Sequence, residues 1–475
     1  MNIVHLSSEV APWCKTGGLG DVLGALPKAQ AQAGANVAVM LPLHRAALQT
    51  AHRKGLKLEP TDTNVVVRIA GHEIGGRFLK HSDPELPNLT TYLLDCPRFF
   101  DRAGLYSDPK GGDYNDNGLR YPFFCQAVLL AARRLMGSTP DVFHAHDWQT
   151  AVVPMYLRHA PIPTVLSIHN LAYQGVFSKE TLPAIGLDWS VFTPDGAEYY
   201  DHLSLLKGGI ASADAVTTVS PSYAREICTQ KHGHGLHEFI QAHAKRLRGI
   251  RNGIDPQTWS PTNDPHIAQQ YSANALDGKW HCRQALLQEF GLHSTVGEPV
   301  MGAIARFTNQ KGIDLIAEIV PLLEKMKANL IVLGTGSKAL EDRMRHLAHY
   351  HPRLAVRIDF DSALAHRITA GADIYLMPSR FEPCGLNQMY SMAYGTVPVV
   401  HATGGLRDTV TQQTGFSFEF PDARGLLWAL EQAVHRYRFQ PNAWHNTMLN
   451  GMSTDFSWTI PAQQYLHLYR ELGAN

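Results

Sequence analysis

The chain has 475 residues, enough for two or three domains with ample core. Lysine plus arginine and aspartate plus glutamate balance at 42 each and the pI is about 7.4, so no broad field favours nucleic acid or an anionic membrane as partner. A neutral polymer or a small molecule suits such a surface better. The six cysteines (Cys14, Cys96, Cys125, Cys228, Cys282, Cys384) stand far apart with no C-x-x-C pair, so they suggest neither a disulfide framework nor a zinc site and read as reduced thiols in a cytoplasmic protein.

The opening Met1-Asn-Ile-Val-His-Leu6 is already strand-like, with no basic segment leading into an apolar core, so no secretory signal is expected. No run of about 18 apolar residues occurs, and no membrane span is expected. The 25 histidines are scattered and form no H-E-x-x-H or similar metal spacing.

Strand-like runs then alternate with helix-period segments: Ile3 to Leu6, Val37 to Met40, Val142 to His144, Thr164 to Ile168, Val300 to Ile304, Leu330 to Leu333, Ile374 to Met377 and Val397 to Val400. Continuous apolar runs separated by helices predict parallel sheets covered on both faces. The alternation pauses between Gln230 and about Pro265, where a His/Gly-rich stretch, a basic segment and Asn252-Gly-Ile-Asp-Pro256 mark a boundary. The reading is an α/β protein of two doubly wound, Rossmann-like domains, 1–248 joined by a closing helix at 458–475, and 249–457. Two such domains facing one another would set both groups of strand carboxyl ends at a shared cleft.

The candidate loops all follow strands. Ala11-Pro-Trp-Cys-Lys-Thr-Gly-Gly-Leu-Gly-Asp21 is a glycine-rich turn before a helix expected from Val22, with Lys15 as a mobile charge; it matches neither G-x-G-x-x-G nor a P-loop. Val142-Phe-His-Ala-His-Asp-Trp148 and Ser167-Ile-His-Asn-Leu-Ala-Tyr-Gln-Gly175 place imidazoles, Asp147 and Asn170 where they serve sugar hydroxyls, or where a histidine is simply a satisfied core residue. Between Cys96 and Phe124, rings alternate with Asp and Asn, as a carbohydrate platform or an ordinary packed loop would.

Ala303-Ile-Ala-Arg-Phe-Thr-Asn-Gln-Lys-Gly312 delivers Arg306 and Lys311 from one short loop, a fork donor and an ammonium suited to a diphosphate. Asp373 to Gly395 reads as a strand, a loop carrying Glu382 and Cys384, and a helix from about Gly385. A helix start favours phosphate, whereas Glu382, an acceptor only, favours hydroxyls. A ligand with hydroxyls at one end and phosphate at the other has the shape of a nucleotide sugar.

With Lys15-Thr-Gly-Gly-Leu-Gly-Asp21, His144-Ala-His-Asp-Trp148, His169-Asn-Leu-Ala-Tyr-Gln-Gly175, Val219-Ser-Pro-Ser-Tyr-Ala-Arg-Glu226, Asn252-Gly-Ile-Asp255, Arg306 with Gln310-Lys-Gly312, and Ser379-Arg-Phe-Glu-Pro-Cys-Gly-Leu-Asn-Gln388, the chain closely resembles the bacterial glycogen synthases and plant starch synthases over essentially its whole length. The resemblance implies the glycosyltransferase B-type fold and transfer of glucose from ADP-glucose to the non-reducing 4-hydroxyl of glycogen or another α-1,4-glucan. Configuration would be retained, with no cofactor and no metal. It implies that Arg306 and Lys311 grip the diphosphate and Glu382 holds hydroxyls of the glucose. Backbone near Cys384, Gly385 and Leu386 would face the donor, and Lys15 with Gly18 would close over it. His169, Asn170, Asp147 and Asp21 would serve the sugar and acceptor side. Nucleic acid and membrane are not implied as partners, and a homo-oligomer is left open.

Two departures stand out. Tyr390 takes a position where the wider superfamily often has a ribose-binding Glu, and Asp359-Phe360 stands where Gly-Tyr is common, so Phe360 would keep the ring beside the base without its hydroxyl. Asp359-Phe-Asp361 is formally a D-x-D, the metal signature of another fold. The rival readings are a UDP-glucose-dependent retaining transferase with a small acceptor, and a catalytically silent glucan-binding relative.

Overall fold

The computed structural model describes residues 1–109 and 111–474. The chain divides into two compact units, Met1–Gly253 with Trp458–Asn475, and Ile254–Ser457. The division falls after Gly253, where the sequence reading set it after 248.

The first unit is built on a nine-stranded sheet. Its strands are β1 (Asn2–Leu6), β2 (Asn36–Pro42), β3 (Glu59–Ile69), β4 (His72–Ser82), β5 (Leu89–Asp95), β6 (Val142–His146) and β7 (Thr164–Ile168). A small separate sheet of β8 (Val176–Ser178), β9 (Glu198–Tyr199) and β10 (His202–Ser204) intervenes before β11 (Ala215–Thr218) and β12 (Arg248–Gly249) complete the large one. The order is β12-β11-β7-β6-β1-β2-β5-β4-β3, so β1 has β2 on one side and β6 on the other.

The expectation of a parallel sheet is corrected at one edge: β4 runs antiparallel to β5, and β3 to β4. Those strands alternate buried and exposed residues, as in Val65, Val67 and Ile69 inward with Val66 and Arg68 outward. A search for continuous apolar runs passes over such a strand, because only one of its faces is covered.

The helix expected from Val22 begins four residues earlier and spans Gly18–Gln32. A Cβ on Gly20 would come within 2.4 Å of the Lys15 Cβ, so the glycine-rich loop folds back across the first turn of its own helix. The helix Thr459–Glu471 packs on Gly18–Gln32 and puts Tyr465, Leu466, Leu468 and Tyr469 into the same core as Ile3, Val22 and Leu26.

The second unit carries six parallel strands: β13 (Val300–Ile304), β14 (Asn329–Gly334), β15 (Leu354–Ile358), β16 (Ile374–Met377), β17 (Val397–His401) and β18 (Phe416–Phe418). Their order, β15-β14-β13-β16-β17-β18, reverses between β13 and β16. Covering helices on both faces explain why these strands read as unbroken apolar runs. The helix expected from Gly385 starts at Asn387, because Gly385 is left-handed (φ 71°) and turns the loop before the helix can begin.

The Tyr469 hydroxyl lies 2.7 Å from His144 Nδ1 and accepts from Gln30 Nε2 at 3.2 Å, all within the buried core. Tyr469→Phe leaves both buried groups without that partner and is expected to cost about 1–3 kcal/mol. Urea unfolding followed by circular dichroism measures this; an unchanged midpoint would show that the hydroxyl does not hold the last helix in place.

Candidate active site

In the second unit the predicted residues converge where the strand order reverses. Open α/β sheets bind ligands at that place, because connections leave the two adjacent strands in opposite directions and open a crevice at their carboxyl ends. Arg306 and Lys311 follow β13, and Glu382 follows its neighbour β16. Lys311 Nζ lies 2.6 Å from Glu382 Oε2, which also accepts from Ser379 Oγ at 3.0 Å. The pair is mostly withdrawn from water, with side-chain exposures of 19% and 7%. Glu382 Oε1 has no partner among the described residues. The Arg306 side chain is exposed and makes no ion pair among the described residues.

The Glu382 loop rests on the glycines that follow β17. Gly405 N donates to Glu382 O at 3.1 Å, and a Cβ on Gly404 or Gly405 would run into the carbonyls of Glu382 or Cys384. Cys384 is buried, and its carbonyl accepts from Gln388 Nε2 at 3.2 Å. The N–H groups of Gly385 and Leu386 donate to no acceptor among the described residues. Phe360, just beyond β15, is 76% exposed. The D-x-D pattern has a local explanation: Asp361 caps the helix Ser362–Gly371 by accepting from Leu364 N, and Asp359 accepts from Phe360 N.

In the first unit the corresponding reversal lies at β1, between β2 and β6. Lys15 and Asp21 pair at 2.7 Å on the surface, and Gly18 opens the helix. Sequence reasoning missed Glu9, a buried carboxylate that anchors the glycine-rich loop. It accepts from Thr16 N at 2.5 Å, Thr16 Oγ1 at 2.7 Å, Gly17 N at 3.3 Å and Tyr106 OH at 2.6 Å. Its signal was an acid placed three residues after a buried strand.

Asp147 adopts φ 57° directly after β6 and accepts from His169 N at 2.6 Å and Asn170 N at 3.3 Å, tying together two loops read separately in the sequence. Burial pushes its carboxyl up to about 7 against the pull of those two N–H groups.

The histidines of His144-Ala-His-Asp-Trp148 do not line an open mouth. His144 and His146 are fully buried, and His146 Nδ1 lies 3.0 Å from His169 Nε2. His5, His144 and His146 bring ring nitrogens within 4.8 Å of one another, near enough for a metal, but each of those nitrogens already faces a hydrogen-bonding neighbour. The aromatic insertion is also core. Phe99, Phe100, Tyr121, Phe123 and Phe124 are buried, and Arg120 sits beneath them donating to the carbonyls of Phe99 and Leu105. The reading as a carbohydrate platform gives way to that of a packed loop.

Residues 2–242 match the family model described as the starch synthase catalytic domain, and residues 288–446 match glycosyl transferases group 1. The chain is 44% identical to a glycogen synthase of Anaeromyxobacter sp. (strain Fw109-5), over 100% of both chains. The chain belongs to the glycogen and starch synthase family. A glycogen synthase of Koribacter versatilis is 42% identical over 99% of this chain and 98% of its own. Among solved structures, the catalytic domain of starch synthase IV from Arabidopsis thaliana, bound to ADP and acarbose, superposes with a TM-score of 0.89 at 31% identity, covering 100% of this chain and 99% of that one. The fold is accordingly the glycosyltransferase B-type expected of the family, with two Rossmann-like domains. No helix among the described residues is long and apolar enough to cross a membrane.

In this glycogen and starch synthase family member, burial holds five interior histidines far below their usual pKa, and partial burial lowers that of His234 as well. His5 is pushed down to about 4, His44 and His169 to about 3, and His144 and His146 well below 6.5. As pH falls through 6.5 the unfolded chain takes up protons that the folded chain refuses, so stability is lost at up to about 1.4 kcal/mol per pH unit for each. Asp147 works in the opposite sense between 7 and its unfolded value and offsets one of them. The urea midpoint is expected to fall from pH 7 to pH 5; a midpoint that holds or rises would contradict the buried neutral set.

Proposed function

We propose that the chain is a glycogen synthase that transfers glucose from ADP-glucose to the non-reducing 4-hydroxyl of an α-1,4-glucan with retention of configuration. The observation that carries the donor assignment is the Lys311–Glu382 pair, with Arg306, exposed and without an ion pair among the described residues, on the same loop after β13 as Lys311. A paired ammonium and carboxylate are neutral together, so Arg306 supplies the net positive charge that a diphosphate requires. Its planar fork suits two phosphate oxygens at once. Glu382 turns its unoccupied Oε1 to hydroxyls of the donor glucose, and Lys311, held in place by that carboxylate, faces the phosphate.

As the bond from the anomeric carbon to the diphosphate oxygen breaks, negative charge grows on the leaving phosphate, and Lys311 with Arg306 stabilises it without reorganising. The leaving phosphate takes the acceptor's proton as the new bond forms on the same face. No carboxylate nucleophile is required, and Glu382, already held by Lys311 and Ser379, is poorly suited to be one. The N–H groups of Gly385 and Leu386 and the backbone of Cys384 serve the donor, and the exposed ring of Phe360 offers a face to the base. Within the first unit, Lys15 and Gly18 are assigned to the donor, and Asp147, His169, Asn170 and Asp21 to the sugar and acceptor. ADP in the complex of the starch synthase relative supports adenine over uridine. Six unbridged cysteines support a cytoplasmic setting.

Incubation with ADP-glucose or UDP-glucose, with and without glycogen, tests the reading through nucleotide release. Acceptor-dependent ADP release is expected, and no release from either donor would sink it. Lys311→Ala is expected to lower kcat by about 10²- to 10³-fold, the scale set by removal of a transition-state donor. An unchanged kcat would reduce the lysine to a partner of Glu382 alone.

A further inference from the structure

Eight buried groups of the first unit stand in single file, each within hydrogen-bonding distance of the next. Thr217 Oγ1 lies 2.5 Å from Ser167 Oγ, which lies 2.7 Å from His144 Nε2. His144 Nδ1 meets Tyr469 OH at 2.7 Å, and Tyr469 OH accepts from Gln30 Nε2 at 3.2 Å. Gln30 Oε1 lies 2.7 Å from His5 Nε2, His5 Nδ1 lies 3.0 Å from His146 Nε2, and His146 Nδ1 lies 3.0 Å from His169 Nε2. Seven of the eight are fully buried, and His169 alone keeps some exposure, 9%.

A neutral imidazole has one N–H and one bare nitrogen, so each histidine inside the file passes a hydrogen bond in at one nitrogen and out at the other. Along a run of histidines all links must therefore point the same way, and at Tyr469, whose oxygen could accept twice, the buried hydroxyl proton is left with His144 Nδ1 as its acceptor among the described residues once Gln30 donates to it. The Gln30 amide selects the direction: its oxygen faces His5 and its N–H₂ faces Tyr469. His5 then donates from Nε2, His146 donates from Nε2 to His5, and His169 donates from Nε2 to His146. On the other arm Tyr469 donates to His144 Nδ1 and His144 donates from Nε2 to Ser167. In this direction all four histidines carry the proton on Nε2, the form that neutral imidazole side chains favour in water. The reverse direction would force all four into the disfavoured form. Burial keeps each of the four neutral, which the file requires.

We propose that Gln30, acting through His5 and His146, locks His169 in its Nε2–H tautomer, so that its Nδ1 is a standing acceptor that takes a hydrogen bond from a sugar hydroxyl and cannot give one. Gln30, His5 and His146 are positioning residues, remote from the ligand. The sugar part of the proposal rests on the reading that His169 faces the sugar; the tautomer part does not. A fixed acceptor selects ligands that present a hydroxyl there and rejects those presenting only an oxygen or fluorine acceptor, since two lone pairs would then face each other. The arrangement does not favour a metal at His5, His144 and His146, because binding one would break the file at both histidine arms.

The test is the long-range 1H–15N spectrum of the full chain labelled at histidine nitrogens, with the His169 signals identified by their loss in His169→Gln. A single species is expected, with pyridine-like Nδ1 and pyrrole-like Nε2. A protonated Nδ1, or two nitrogens at averaged shifts, would overturn the proposal. Gln30→Leu interrupts the file in its middle and is expected to move both His169 nitrogens toward averaged positions; unchanged signals in the folded variant would show that Gln30 does not set the tautomer. If that variant does not fold, the pattern of the unmodified chain still decides. Addition of ADP with a maltooligosaccharide is expected to shift Nδ1 in the direction of an accepted hydrogen bond. An unmoved Nδ1 in an otherwise locked tautomer would sink the sugar-facing reading of His169 and leave the lock standing.

Discussion

The constraint on which the candidate site depends is the reversal of strand order. In the second unit β14 and β16 flank β13 on opposite sides, and in the first β2 and β6 flank β1. Chain leaving two adjacent parallel strands in opposite directions cannot cover the gap between their carboxyl ends, so side chains of the two connections meet there. Lys311 and Glu382 are 71 residues apart in sequence and 2.6 Å apart in space for this reason. The chemistry was placed where topology already left an opening.

What fills the opening is costly to keep from water. An ammonium and a carboxylate at low exposure lose hydration, and the loss is made good only with close geometry and further hydrogen bonds. Ser379 supplies one such bond to Glu382, and the glycines after β17 let the backbone of the acid's loop settle close beneath it. Glu9 performs a comparable task in the first unit, where one carboxylate gathers two backbone N–H groups and two hydroxyls to shape the lysine loop. In both units a buried acid shapes the loop that carries the candidate residues.

The β13, β16 and β7 strands were legible in the sequence because both their faces are covered and their apolar runs are unbroken. β3 and β4 were not, since covering one face produces alternation that a search for runs ignores. Arg306, Lys311 and Glu382 were legible because each stands in a short polar loop straight after such a run. The histidine file was not. His5 and His144 sit opposite each other in neighbouring strands, and only that register, with the Gln30 amide and a tyrosine from the last helix, turns scattered imidazoles into one network. The aromatic insertion misled for the complementary reason: rings beside Asp and Asn look the same in sequence whether they face a sugar or surround a buried Arg120.

Tyr469 connects this network to the order in which the chain is made. The residue belongs to the first unit's core, yet it emerges from the ribosome only after the whole of the second unit. Strands β1, β6 and β7 can pair long before then, but Gln30 and His144 must wait for their shared hydroxyl. Gln30 and His144 therefore lack that shared partner through most of synthesis, and the final locking of the first unit is one of the last events in the life of the growing chain.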